Sequence, residues 1–82
     1  MKIIIDEFMT EKLDLNGNAL VLFAILWAES KHGKQTLMDD YQHYAGAMCV
    51  TVPTYYNTMK KLVERGIVEK DADGKLIIHT EY

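Results

Sequence analysis

The chain has 82 residues, a net charge of −3 and a single cysteine, Cys49. One cysteine excludes an internal disulfide and a zinc site of several thiolates, and it fits a reducing, cytoplasmic setting. The 49% hydrophobic share is too high for disorder, and a length without internal repeats fits one domain.

Residues 1–15 read as an N-terminal arm. Met1-Lys2 is followed by only three apolar residues before Asp6 and Glu7, too few for a secretory leader. Ile3-Ile4-Ile5 is β-branched and suits a short strand or an extended segment. Phe8, Met9 and Leu13 recur at helical spacing, which predicts one or two turns over Asp6 to Leu13. Helix 1 is predicted over 16–32, with the Asn16 side chain accepting an orphan backbone N–H and Gly33 as the stop. Its run from Ala19 to Ala28 is apolar all round, the mark of a helix buried on most sides. At ten residues it is about half of the ~20 that a membrane span needs.

Lys34-Gln35-Thr36 is a candidate strand pairing with a later hairpin. Helix 2 is predicted over 37–47, with Asp39 and Asp40 in its first turn, where the helix dipole favours negative charge. Met48-Cys49-Val50 makes the turn. Helix 3 is predicted over 51–65, capped by Thr51 and with Pro53 in its first turn, where a missing N–H costs nothing. Tyr55, Met59, Leu62 and Val63 follow the 3.6 period and should face inward. Arg65-Gly66 ends the helix. Ile67 to Lys70 and Lys75 to Ile78 form a hairpin within 67–80 around Asp71-Ala72-Asp73-Gly74. This order predicts an α+β, mainly α fold: a winged helix-turn-helix with a three-helix core and a C-terminal β-hairpin wing. Leu22, Phe23, Leu26, Tyr55, Met59, Leu62 and Ile67 are its expected core.

In that architecture the exposed face of helix 3 meets a DNA major groove and the wing lies along the backbone. By subtraction, Val52, Pro53, Tyr56, Asn57 and Lys60 should face outward, with Lys61 at the flank. Asn57 could pair bidentately with adenine, and Val52 could touch a thymine methyl. The candidate DNA-contact set is Thr51, Val52, Pro53, Thr54, Tyr56, Asn57, Lys60, Lys61, Lys70 and Lys75. Residues 51–66 carry a local +2, whereas residues 67–82 carry a local −2. Asp71 and Asp73 at the wing tip repel phosphate and suit the turn geometry. The acidic charge and wing support a second reading, a protein-interaction module on the same scaffold.

No catalytic, cofactor or metal site is expected. His32, His43 and His79 lie on separate elements without ligand spacing. Cys49 lacks a cationic neighbour and reads as a small buried hydrophobe. Met9, Met38, Met48 and Met59 read as core filler. A calcium loop at Glu69 to Gly74 fails, because Thr80 stands where a bidentate Glu is required. Helix 1 and the arm carry more apolar surface than a small core covers, which predicts a homodimer through them, the alternative being that the arm folds back over helix 1 and hides the surplus within one chain.

Two stretches carry a family resemblance. Ile5 to Thr10 through Leu15 to Leu20, leading into the apolar helix, resembles the opening of the winged-helix domain in bacterial plasmid and phage replication initiators. Val50 to Tyr55 through Lys60 to Val68 is similar to the recognition-helix segment of that family and of many winged-helix regulators. The resemblance covers most of the chain. It implies a DNA-binding protein of a mobile element or nucleoid, with double-stranded DNA as partner.

Overall fold

A computed structural model describes residues 3–79. Its central element is α1, Gly17–Glu29, whose stretch from Leu22 to Leu26 is fully buried. Burial on every side follows from the lack of a polar face. The remaining elements in chain order are β1 (Leu37–Met38), α2 (Tyr41–Met48), α3 (Val52–Glu64), β2 (Val68–Lys70) and β3 (Lys75–Ile78). Three helices and a C-terminal antiparallel hairpin, joined by the short β1, make a mainly helical α+β fold with winged-helix-like topology.

All three helices end the same way. A residue with positive φ follows each last turn, and the next N–H reaches back five residues. His32 donates to Trp27, Val50 to Ala45 and Ile67 to Leu62. The α1 stop is thus set at Lys31 and His32, ahead of the predicted Gly33. Ser30 reinforces it: fully buried, it accepts from the Gly33 N–H through its hydroxyl.

Helix α2 starts at Tyr41, later than predicted. Leu37 and Met38 are drawn into the sheet, where they pair with Leu76 and Lys75 of β3. Strand order is β1-β3-β2, all antiparallel. The strand expected at residues 34–36 therefore lies three positions further on. Asp40 caps α2, accepting from the His43 N–H at 3.3 Å, and Asp39 precedes the cap. The Thr51 cap of α3 forms as predicted, accepting from the Thr54 N–H at 3.4 Å.

Every residue of the expected core is buried. The arm supplies more: Met9, Leu13 and Leu15 are buried, and Phe8 lies 6.1 Å from the Trp27 ring. Residues Phe8–Lys12 form a short π-type helix, started by the Asp6 carboxylate on the Met9 N–H. The Arg65 guanidinium then donates to the carbonyls of Leu13 and Asp14, fastening the arm to the end of α3. Val63 departs from its predicted inward position and is 38% exposed. It sits next to Leu62, about 100° further round the helix, on the edge of the buried stripe.

Candidate nucleic-acid interface

The outer face of α3 is built by its period. Pro53, Tyr56, Asn57 and Lys60 are exposed along one stripe, with Lys61 exposed beside it. Thr51 is exposed, but its hydroxyl is engaged in the cap and bonds Thr54 Oγ1 at 3.0 Å. Thr54 is half-buried. Val52 does not face outward as predicted: it packs against the hydrophobic core. As first helical residue it lies one turn before Tyr55 and Tyr56, and it is half-buried there.

The two wing lysines are not brought together. Residues opposite one another in a ladder share a face. Val68 pairs with Ile78 and Lys70 with Leu76, and Val68, Ile78 and Leu76 are buried, so Lys70 lies on the core-facing side. There its Nζ sits 2.9 Å from Asp39 Oδ2 and 5.5 Å from the centre of the Tyr56 ring. Lys75 pairs with exposed Met38 on the opposite face of the sheet. The turn between the strands is held by Asp71, whose carboxylate accepts from the N–H groups of Asp73 and Lys75, each at 2.9 Å. Asp71 is therefore engaged in forming the turn, and Gly74 completes it at φ 79°.

Of the cations around α3, Arg65 is spent on the arm and Lys70 on Asp39, while Lys60 lies 4.0 Å from Glu64 in an exposed pair. Such a pair is weak and readily exchanged for another anion. Lys61 forms no ion pair among the described residues.

A contribution that the sequence analysis missed lies beside Lys61. The start of α1 abuts this flank of α3, and Asn16, Gly17 and Asn18 line a pocket of about 460 Å³ with Thr54, Asn57 and Lys61. Asn16 occupies the cap position but its side chain makes no capping bond, contrary to expectation. The N–H groups of Gly17, Asn18 and Ala19 have no acceptor among the described residues. Gly17 has φ 56°, which a Cβ would disfavour although no atom lies within 4 Å of one. The signal in the sequence is the Asn16-Gly17-Asn18 triplet, whose central glycine suits a positive φ at the start of the helix.

A second surface is apolar. Between α3 and β2, Tyr56, Met59 and Val63 line a groove of about 440 Å³ rimmed by Lys60, Glu64 and Lys70. Tyr41, 5.9 Å from Tyr56 by ring centres, is also exposed. Behind it, Tyr55 and Tyr44 stack at 6.2 Å. The Tyr55 hydroxyl donates to Asp39 and the Tyr44 hydroxyl to Glu29, and in both cases burial, then the carboxylate, pushes the tyrosine pKa up. Both phenols stay neutral.

The residues set aside from catalysis lie apart. His32 stacks on Trp27, His43 bonds Glu29 and His79 bonds Glu69. Among the described residues no three His, Cys, Asp or Glu side chains are grouped to hold a metal. Two expectations are overturned. Cys49 is exposed, because the positive-φ turn after α2 swings it out of the core. Met38 is 76% exposed, because β1 carries it on the outer sheet face opposite Lys75. Among the described residues no helix is long and apolar enough to cross a membrane.

No protein-family model matches the chain, and neither a curated protein nor a solved structure matches it.

Proposed function

We propose that the chain binds double-stranded DNA in a sequence-selective way, as a small regulator or replication-initiator-like protein of a phage, plasmid or integrated element. The supporting observation is the pairing of the polar flank of α3 with the uncapped start of α1. Asn57 and Tyr56 stand where a winged helix meets base edges. Lys61 and the start of α1 at Gly17, Asn18 and Ala19 line one pocket with Asn57, and a helix start whose N–H groups have no acceptor among the described residues suits a phosphate. Backbone donors thereby offset the shortage of lysines and arginines, since phosphate contacts are made by N–H groups as well as by charged side chains. The initiator resemblance rests on Ile5 to Leu20 and Val50 to Val68 alone.

Anisotropy titrations with a randomised duplex pool and its selected sequences test this. Lys61→Ala should weaken binding to all sequences and flatten the salt dependence by about one phosphate, a slope change of ~0.9. Asn57→Ala should erase preference at one base pair and leave the salt slope intact. Equal affinity for all sequences in both proteins would remove sequence selectivity.

The apolar groove of Tyr56, Met59 and Val63 favours a second reading, a protein-interaction module. On that reading association would survive high salt and the Lys60→Ala plus Lys61→Ala change, and would fail with Val63→Asp. A homodimer through helix 1 and the arm is part of our proposal. Most of α1 is already covered within one chain, so the surface left for it is Ile3, Ile4 and Ile5, all exposed, with Ile4 beside Trp27, Ala28 and His32.

A further inference from the structure

We propose that Asp39 competes with DNA phosphate for Lys70 and holds it, so that the wing withholds its cation from DNA while this carboxylate is in place. The proposal rests on the DNA-binding reading and concerns how that surface is regulated.

Strand alternation turns Lys70 toward α3, and Lys70 is the wing cation that reaches the recognition face. Its ammonium is 5.5 Å from the centre of the Tyr56 ring, and Tyr56 lies on the exposed stripe of α3. A phosphate arriving at Tyr56 therefore arrives beside Lys70. In the structure that ammonium is already neutralised, 2.9 Å from Asp39 Oδ2.

The two partners differ in freedom. Asp39 sits between Met38, paired in the sheet, and Asp40, the cap of α2. Its other oxygen accepts from the Tyr55 hydroxyl, and its side chain is 18% exposed. The carboxylate is thus fixed in place. Lys70 is a flexible four-carbon stem at the last residue of β2, 37% exposed. The fixed carboxylate keeps the ammonium at 2.9 Å, and loss of its charge frees the flexible Lys70 for a phosphate beside Tyr56. The Tyr55 hydroxyl on the other oxygen holds Asp39 in that position. Asp39 is a positioning residue here, acting on DNA only through Lys70.

Four proteins test this with one non-specific duplex: wild type, Asp39→Asn, Lys70→Ala and the double variant. Asn keeps an oxygen acceptor for Tyr55, and circular dichroism confirms folding of each. The readout is the slope of log affinity against log salt. Asp39→Asn should steepen it by about 0.9, one additional phosphate. Lys70→Ala alone should leave the wild-type slope unchanged, and the double variant should match it. A Lys70→Ala slope shallower than wild type by ~0.9 would overturn the proposal, because Lys70 would already be on phosphate. An equal steepening by Asp39→Asn with and without Lys70 would also overturn it, since the carboxylate would then act through its general field. Absence of binding by all four overturns it too, and the Tm values then say why. Non-additive Tm changes would keep the ion pair and remove the DNA reading, whereas additive changes would remove the ion pair itself.

Discussion

At the scale of single residues, Lys31, Cys49 and Gly66 occupy the same left-handed position after their helices, with φ of 53°, 59° and 75°. Only the glycine adopts that conformation without a steric cost. Cys49→Gly should therefore stabilise the protein by about 0.5–1 kcal/mol, the unfolded-state entropy of glycine offsetting part of the gain. Gly66→Ala should destabilise it by about 1–2 kcal/mol, although no atom lies within 4 Å of the added Cβ, because the cost is in φ. Urea midpoints at constant m-value measure both. His43 supplies a pH dependence. The hydrogen bond and charge of Glu29 at 2.7 Å raise its pKa above the ordinary 6.5, with burial opposing slightly and Asp40 adding. A raised folded pKa gives stability that is fully present below pH 6.5 and lost as pH rises through the folded value. With His43 46% exposed the step should be under about 1 kcal/mol. Urea unfolding between pH 5 and 9 should show the step in wild type and not in His43→Ala.

At the scale of elements, α1 and α3 hold the core between them, and the sheet closes one end. Leu62 is fully buried on α3, so Leu62→Ala should cost about 2–5 kcal/mol, a large part of the stability of so short a chain. Thermal unfolding would show it as a large fall in Tm. In the wing, Asp71→Ala removes the acceptor for two N–H groups and should cost about 1 kcal/mol each way it is left unmade, seen as faster amide exchange at Asp73 and Lys75. The elements legible in the sequence were those with local signals. The end of α3 carries its own glycine, its start carries Thr51 and Pro53, and the α1 run lacks a polar face. The start of α2 was not legible, because Leu37 and Met38 are set by pairing with Leu76 and Lys75, far along the chain. Nothing local marks that pairing, and the two aspartates that follow fit a first turn as well as a cap. The exposed position of Cys49 was hidden for a similar reason: its composition says core, and its φ says turn. For the candidate site, the stripe of Pro53, Tyr56, Asn57 and Lys60 followed from the helical period. The Lys70 partnership and the flank formed by Gly17 and Lys61 required the third dimension.

At the scale of the molecule, charge and shape pull in different directions. The fold presents α3 openly, yet much of the nearby positive charge is internally engaged by Asp39, Glu64 and two backbone carbonyls. Binding by one chain should therefore be modest and weakly salt-dependent, with about two to three phosphates involved. A second copy joined through Ile3 to Ile5 would double those contacts and set two α3 helices about one DNA turn apart, ~34 Å. Light scattering behind a sizing column checks that arrangement, and a mass near 9.4 kDa at tens of micromolar would exclude it. The central claim is that DNA meets the polar flank shared by α3 and the start of α1. Amide chemical-shift mapping during titration with a duplex tests it most directly. The account predicts shifts concentrated at Gly17, Asn18, Ala19 and along Pro53 to Lys61, growing as salt is lowered. Unchanged amides there at low salt, or shifts confined to Met38, Tyr41 and Val63, would contradict it.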